Sequence, residues 1–415
     1  MRASPFVIAA AVIALLGGCV SAPQAAAPSP RPTPSSTPTG DGVLRIGTLF
    51  PTSGASAFIA PAQAAGVALA VAEINAAGGV GGVPVEIVAR DSGEASAGTA
   101  EASFAELDAA GADVIIGPSS SVLAQRLAPL GAKAGIPLIS PAATFPGLSD
   151  LSDSGYLFRT IPAYGAQGLA LGEALADGKK VGLLYIDDEL GKALAPQLEA
   201  GLTENGSSLV ASEAIPPGTT DLAPFIAALV AAAPDAVVLG STYASIDATK
   251  ALITATIGAG FGGAKLWLTT QNTGDYSQAL PNGTLAGVNG IIEGVQPDEA
   301  FTARLKGVDA ALTTTRYSVE AYDATVLAAL AAITARDDAG DAIAASLVDA
   351  SRGGIKCTSF AECAQALKTQ DDIDYDGLSG SVDFTPGGDI SPAYYGIYSY
   401  DGENRFVFGR GIVAG

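Results

Sequence analysis

From residue 43 to about 294, short runs rich in Val, Ile and Leu alternate with longer alanine-rich stretches of helical character. Strands joined by helices must run parallel, and such sheets are covered on both faces. Two consecutive series, 43–160 and 180–294, therefore predict an α/β protein with two doubly wound parallel-sheet lobes. The predicted strands are 43–50, 83–90, 114–117, 137–140, 180–186, 208–215, 236–240 and 266–270. After residue 297 two long helical patterns precede aromatic, strand-like residues from 382 to 408.

The sequence contains no histidine. This excludes a Ser-His-Asp triad, a Cys-His pair and a His-ligated zinc. The 42 acidic residues outnumber the 21 Lys and Arg, for a net charge of −21. Such a charge argues against nucleic acid, whose phosphates attract Lys and Arg, and against basic attachment to anionic lipid. We expect no enzyme activity, no cofactor and no nucleic-acid partner.

The N-terminus has the pattern of an export signal. Arg2 precedes an apolar run over 5–16 that is too short to span a bilayer as a mature helix. The run ends in Leu16-Gly17-Gly18-Cys19, which resembles a bacterial lipobox. We expect residues 1–18 to be removed, Cys19 to be lipidated, and the Pro/Ser/Ala-rich residues 19–42 to form a tether. The alternative is an ordinary signal peptide with an incidental cysteine.

The other two cysteines, Cys357 and Cys363, lie close together in the sequence. In an oxidising compartment such a pair favours a local disulfide. A two-thiol metal site is the alternative, although it would lack other soft ligands.

Small hydroxyl residues follow three of the predicted strands. Ligands of doubly wound sheets bind beyond the carboxyl ends of the strands. Hydroxyls and free backbone amides there suit a small polar ligand near helix N-termini. Single Ser or Thr residues could equally be helix caps, but three corresponding positions favour a ligand site. The three segments are Pro51-Thr52-Ser53-Gly54, Pro118-Ser119-Ser120-Ser121 and Pro141-Ala142-Ala143-Thr144.

The run Ile139-Ser140-Pro141-Ala142-Ala143-Thr144-Phe145-Pro146 resembles the ligand-binding signature of branched-chain amino acid binding proteins. These are type I periplasmic binding proteins of ABC importers. The resemblance extends in order from residue 43 to the C-terminus, including 117–121 and 374–380. It implies two lobes joined by three crossovers, near 159–162, 293–297 and 383–388. Lobe 1 would comprise 43–160 and 297–383, and lobe 2 would comprise 161–296 and 384–415.

The resemblance also implies how a ligand would be held. Ser121 and Thr144 would bind its α-carboxylate through side chains and backbone amides. Ala142 would offer its carbonyl to the α-ammonium, and Ala143 its backbone amide.

The remaining pocket residues would be Phe58 or Ile59 and Tyr243, near the ligand side chain. Two positions depart from the family pattern: Leu190 replaces a common aromatic residue, and Gln271 replaces the acid that pairs with the ammonium. An ammonium facing a neutral amide loses about 1.5–3 kcal/mol of charge-assisted hydrogen bonding. Either another acid compensates, with Asp188, Glu189 and Asp275 as candidates, or the ligand is not an amino acid.

Two further motifs suggest other ligands. The glycines of 258–263 fit a dinucleotide pattern, but they follow a helix and precede a strand, so a helix end with a return loop is simpler. The acidic residues Asp372, Asp374, Asp376 and Asp383 are spaced like an EF-hand calcium loop. The twelfth position is Asp rather than Glu and strand-like residues follow, so a structural turn is the favoured interpretation.

Taken with the resemblance, these features predict a lipid-anchored solute-binding protein on the outer face of the cell membrane. It would capture a small polar ligand between its lobes, as a monomer, and deliver it to ABC permease subunits with cytoplasmic ATPases. A ligand-sensing lipoprotein that signals to a receptor or sensor kinase is the alternative. An enzyme using only carboxylates is a third, and it would require two facing acids in the cleft.

Overall fold

The computed structural model describes residues 37–151, 155–242, 245–370 and 372–415. Its first sheet is a five-stranded parallel sheet in the order β2-β1-β3-β4-β5. Helices α1 (Ala60–Ala76), α2 (Thr99–Ala109) and α3 (Ser121–Ala134) connect the first four strands. The strands are β1 (Arg45–Phe50), β2 (Glu86–Asp91), β3 (Val114–Ile116), β4 (Leu138–Ser140) and β5 (Leu157–Arg159).

The second sheet has seven strands in the order β14-β13-β10-β9-β8-β6-β7. The strands β6 to β10 are parallel, whereas β13 pairs antiparallel with both β10 and β14. The two parallel sheets confirm the predicted α/β class. The strands are β6 (Lys180–Ile186), β7 (Ser208–Ile215), β8 (Ala236–Gly240), β9 (Leu266–Leu268), β10 (Asn289–Glu293), β13 (Ala393–Tyr400) and β14 (Phe406–Ala414). The helices of this part are α4 (Gln167–Ala174), α5 (Glu189–Glu204), α6 (Ala223–Ala232) and α7 (Ile246–Gly258).

The segment between β10 and β13 holds more elements than the two predicted helical patterns. It contains α8 (Glu299–Val308), α9 (Ser318–Ala335), α10 (Gly340–Ser351) and α11 (Phe360–Ala366). The short parallel strands β11 (Ile355–Cys357) and β12 (Ile373–Tyr375) form a separate two-stranded sheet.

Two helical stretches, Ala57–Ala76 and Ser318–Ala335, are long and apolar enough to cross a membrane. Both pack inside this fold, with α9 lying against α1 and α10 and buried over most of its length. Gly66 permits the close approach of α1 and α9, because a Cβ there would lie 2.2 Å from the carbonyl oxygen of Ser318. The hydropathy of these helices therefore reflects core packing.

Helix starts near the proposed cleft follow from local capping. Ser120 caps α3 by accepting a hydrogen bond from the backbone amide of Leu123 at 3.5 Å. Asp188 caps α5 by accepting one from Gly191 at 2.9 Å. These side chains satisfy amides that a helix N-terminus leaves unpaired.

The first and second crossovers follow β5 and β10, near the predicted positions. The third lies later than predicted. The Arg159 amide donates to the Gly388 carbonyl at 2.9 Å, and Phe384 forms a β-bridge with Ile390. Residues 384–390 thus lie beside β5 rather than in the second sheet, and the chain crosses between Ile390 and β13. The division of the chain into lobes stays a prediction.

Candidate functional site

The loops after β1, β3 and β4 meet at one edge of the first sheet, because these three strands are neighbours. The chain turns from β1 to β2 on one side and continues to β3 on the other. This reversal is the topological switch point where doubly wound sheets bind ligands. The structure therefore brings together the three hydroxyl-rich segments found in the sequence.

The polar groups of the β1 loop bind the end of the neighbouring strand β2. Asp91, at the end of β2, accepts hydrogen bonds from the Thr52 amide at 2.8 Å and the Ser53 hydroxyl at 2.5 Å. The Gly93 amide donates to the same carboxylate at 2.8 Å. Burial raises the pKa of Asp91, but these hydrogen bonds outweigh it and bring the pKa down to about 2. Thr52 and Ser53 thus have a structural role.

The three serines after β3 have different partners. The Ser119 hydroxyl donates to Gln63 Oε1 at 2.6 Å in the core, and Ser120 caps α3. Ser121 is the first residue of α3 and is half-buried. Its Oγ accepts a hydrogen bond from the Phe145 amide at 3.2 Å, which leaves the hydroxyl proton able to reach a ligand. None of these contacts uses the Ser121 hydroxyl proton, and a ligand-binding role for Ser121 stays a prediction.

Ser140, the last residue of β4, fixes the β4 loop through its hydroxyl group. Its hydroxyl donates to the Pro118 carbonyl at 2.6 Å and accepts from the Ala143 amide at 3.0 Å. The Ala143 amide, which the resemblance assigns to the ligand, is therefore engaged within the protein. Ala142 is half-buried and Thr144 is buried, and the Thr144 carbonyl accepts a hydrogen bond from Tyr164.

The two candidates before α1 differ in exposure. Phe58 is 63% exposed, whereas Ile59 is buried at the start of α1. An exposed phenyl ring beside the switch point can cover a ligand, and Ile59 can only support it. Tyr243 and Cys19 lie outside the described residues.

On the second sheet, Leu190 and Gln271 lie at strand ends as expected. Leu190 is the second residue of α5 and packs against the main hydrophobic core. Gln271 sits in a single helical turn after β9 and is half-buried, between two buried residues that hold the turn. The Thr270 amide donates to Gln167 Oε1 at 3.0 Å, and the Asn272 side chain donates to the Leu239 carbonyl at 2.8 Å.

The acids proposed to replace a partner at Gln271 have other surroundings. Asp188 caps α5 and Glu189 is exposed. Asp275 is also exposed, and hydrogen bonds from Ser277 lower its pKa. The sequence analysis missed Glu293, which ends β10, is 7% exposed, and has an Oε1 without a partner among the described residues. The sequence did offer a signal for Glu293, because an acidic residue ends an apolar strand there, next to a predicted crossover.

The four aspartates of the EF-hand pattern do not form an EF-hand loop. Residues 373–375 are strand β12, and Asp372 lies apart from the other three, whose oxygens all lie within 4.8 Å of one another. Lys356 Nζ lies 3.0 Å from both oxygens of Asp376 and 3.3 Å from Asp374 Oδ1. A lysine thus supplies the positive charge, and we propose no calcium site.

The turn 374–380 instead has a structural partner in α9. The buried carboxylate of Asp323 accepts hydrogen bonds from the Tyr375 hydroxyl at 2.7 Å and from the amides of Leu378 and Ser379. A Cβ at Gly377 would lie 2.6 Å from the Asp323 carboxyl carbon, so the turn needs glycine there. Nearby, Cys357 and Cys363 are paired as a disulfide with Cα atoms 5.3 Å apart.

The chain is similar to proteins that bind solutes. It is 27% identical to the chemotactic signal transduction system substrate-binding protein BasB of Halobacterium salinarum, over 82% of this chain and 83% of that protein. Its fold matches the branched-chain amino acid transporter substrate binding protein LivJ of Streptococcus pneumoniae, solved with isoleucine. That match has a TM-score of 0.61 and 22% identity over 90% of this chain and 99% of LivJ.

A solute binding protein of an ABC transporter from R. palustris, solved with 4-hydroxybenzoate, matches with a TM-score of 0.61. The two chains are 20% identical, over 90% of this chain and 97% of that one. The family model for periplasmic binding proteins matches residues 43–392, most of the chain. Together with the two parallel sheets and the crossovers between them, this match shows that the chain belongs to the periplasmic binding protein family, with the type I fold.

Proposed function

We propose that this protein is an extracytoplasmic solute-binding lipoprotein of an ABC importer, which captures a small carboxylate-bearing ligand between its lobes. The observation that carries the proposal is the meeting of the β1, β3 and β4 loops, with Ser121 and Thr144 at the N-terminal end of α3. A helix N-terminus and hydroxyl donors favour a carboxylate. The ligand would be a branched-chain or related amino acid, or an amide or carboxylate analogue.

The ligands named for the two solved relatives support the emphasis on the carboxylate. Isoleucine and 4-hydroxybenzoate both carry a carboxylate, whereas isoleucine alone carries an ammonium. A fold that accepts both ligands can keep the residues that bind the carboxylate and vary the residue that faces the other end of the ligand. The neutral Gln271 fits such variation, since it can hydrogen-bond an ammonium, a hydroxyl or an amide.

Binding without chemistry fits the residues at these strand ends. The loops after β1, β3 and β4 present hydroxyls, backbone amides and apolar side chains, and the sequence has no histidine. The acids beside the β1 loop, Asp91 and Glu94, accept hydrogen bonds from its backbone amides. The ligand would bind one lobe first, and rotation about the three crossovers would close the second lobe over it. The closed monomer would dock on the permease subunits, which work with cytoplasmic ATPases.

Calorimetric titration of the full chain tests this proposal. The probes are leucine, isoleucine and valine, together with 4-methylpentanoate and benzoate, which have a carboxylate and no ammonium. Thr144→Val and Ser121→Ala should each lower the affinity for the probe that binds by about tenfold or more, which corresponds to about 1.4 kcal/mol of binding free energy. Thr254→Val, on the exposed face of α7, is the matched control and should bind normally. Unchanged affinity in both cleft variants would refute the site.

The lipid anchor needs a separate test. Mass spectrometry of the mature chain should find Cys19 acylated at the N-terminus, and Cys19→Ala should release the protein from membranes. If the mature chain begins at any other residue, the export signal still stands but the lipid anchor is refuted.

Sensing is the second candidate, because the relative BasB is named as part of a chemotactic signal transduction system. Cells that lack this protein separate the two functions. Loss of uptake of the labelled ligand supports transport. Normal uptake with a lost behavioural or transcriptional response supports a sensor that passes its closed form to a receptor.

A further inference from the structure

A cavity lies at the hinge, apart from the predicted ligand residues. It has a volume of about 190 Å³ and lies between the second crossover, the strands β13 and β14, and the loop before α9. Its lining includes Glu293, Arg316, Tyr317, Glu320, Tyr398 and Phe406. Ser121, Ala142, Ala143, Thr144, Leu190 and Gln271 do not line it.

Two opposite charges line this cavity without pairing. Glu293 is 7% exposed, and its Oε1 has no hydrogen-bond partner among the described residues. Arg316 is exposed at the surface of the cavity, and its guanidinium carbon lies 5.0 Å from the centre of the Tyr317 ring. Within the described part of the chain, no ion pair within 4.0 Å joins Arg316 to Glu293. An unpaired acid this deeply buried costs free energy that a bound cationic group would offset.

The second acid of the cavity does not add a second charge near neutral pH. Burial, helped by the nearby Asp323 and Glu293, raises the pKa of Glu320 to about 8, although hydrogen bonds from the backbone of Glu320 and Val295 oppose the rise. Glu320 is therefore mainly protonated at neutral pH and acts as a hydrogen-bonding group. Burial also raises the pKa of Glu293, and the nearby Arg316 opposes that rise. A cationic group bound at Glu293 would favour the ionised form of this carboxyl.

The other walls are aromatic. Tyr398 is 8% exposed and packs edge-on against Phe406, with ring centres 5.5 Å apart. Aromatic walls take up an apolar side chain and also favour an adjacent ammonium group.

We propose that the hinge cavity is a second ligand site, which takes a small zwitterion such as an α-amino acid. Its ammonium lies at Glu293, its carboxylate lies at Arg316, and its side chain lies against Tyr398 and Phe406. A zwitterion offers a cation to Glu293 and an anion to Arg316. Because α9 packs against α1, β3 and β4, whereas β10 and β13 belong to the second sheet, a ligand there contacts both sides of the hinge.

The test is calorimetric titration of the full chain with leucine as the zwitterion. The matched probes are 4-methylpentanoate, which lacks the ammonium, and 3-methylbutylamine, which lacks the carboxylate. This count rests on the proposed function: we expect two molecules of leucine per chain if leucine is also the cleft ligand, and one, bound at the hinge, if it is not. Glu293→Gln and Arg316→Gln should each weaken one of the two binding events by about tenfold or more, the effect of losing one charge-assisted hydrogen bond. Each single-charge probe should bind the hinge site more weakly than leucine.

The cleft variants keep this test separate from the proposed function. Thr144→Val should remove only the first binding event, and Glu293→Gln only the second. A single binding event that Thr144→Val abolishes and Glu293→Gln leaves intact would overturn the hinge site while leaving the cleft in place. Two events that both survive Glu293→Gln and Arg316→Gln would also overturn it. Glu299→Gln, on the exposed first turn of α8, is the control for removing an acid nearby.

Discussion

Arg159, at the end of β5, forms an ion pair with Asp389, although 230 positions separate the two residues in the sequence. Arg159 is 1% exposed. Its guanidinium also donates to the carbonyl oxygens of Ala143 at 3.2 Å and Phe145 at 2.9 Å. One buried cation therefore joins the β4 loop of the candidate cleft to the segment that leads into the third crossover.

We expect Arg159→Met to destabilise the protein by about 3–5 kcal/mol, because breaking a buried ion pair leaves its partner groups unsatisfied. Ligand affinity should fall as well, since the β4 loop loses the donor that positions it. Urea unfolding followed by Trp267 fluorescence measures the first effect, and calorimetry measures the second. Asp389→Asn keeps an acceptor beside Arg159 and should cost less. A loss below about 1 kcal/mol in Arg159→Met would contradict the role we assign to this cation.

The Asp91 carboxylate should stabilise the fold in a pH-dependent way. Its pKa of about 2 lies below its ordinary value of 3.8, so the unfolded chain binds more protons in this range. The stabilisation is complete above about pH 4 and is lost as the pH falls toward about 2. Allowing for solvent screening, we expect Asp91→Asn to remove about 1–2 kcal/mol at neutral pH. The variant and the natural chain should then converge in acid, and a constant difference down to the lowest pH would contradict this account.

The order of strands and helices up to β9 was predictable except for β5, a three-residue strand that was missed. Most of the buried parallel strands are short Val/Ile/Leu runs, and the helices between them are alanine-rich. Predicted and observed ends differ mostly by one to three residues, as for the strand predicted at 43–50 and found at Arg45–Phe50. The tail was predicted less well. Helix α11 has only 7 residues, and the three-residue strands β11 and β12 pair with each other rather than with a main sheet, so local pattern gave little signal there.

In the candidate site, too, some features could be predicted from the sequence and others could not. The sheet order placed Ser121 and Thr144 together because strand ends in a doubly wound sheet share an edge. The engagement of the Ala143 amide by Ser140 depends on loop geometry that spacing does not encode. Glu293 was missed for a related reason, since its burial arises from α9 and the second sheet meeting around it.

The disulfide between Cys357 and Cys363 should contribute modest stability. Their sequence separation of 6 closes a small loop, for which chain entropy predicts about 2 kcal/mol. The bond joins β11 to α11, and α11 packs against α9 and α1. We expect a variant with both cysteines replaced by serine to unfold at lower urea concentration and to bind ligand normally. A large loss of ligand affinity would indicate that this region contributes to the binding site.

The raised pKa of Glu320 should make the stability of the hinge decrease as the pH rises. The folded protein holds this proton up to about pH 8, whereas the carboxyl ordinarily loses it near 4.5. The folded state therefore binds more protons between these values, and stability falls with rising pH until it levels off above about 8. A Glu320→Gln variant lacks this ionisation, so it should match the natural chain near pH 4.5 and exceed it in stability by about 4–5 kcal/mol above pH 8. Urea unfolding across this range measures the difference, with Glu299→Gln as the exposed control. Parallel curves for the natural chain and Glu320→Gln would show that Glu320 titrates normally, and the hinge cavity would then carry a second negative charge at neutral pH.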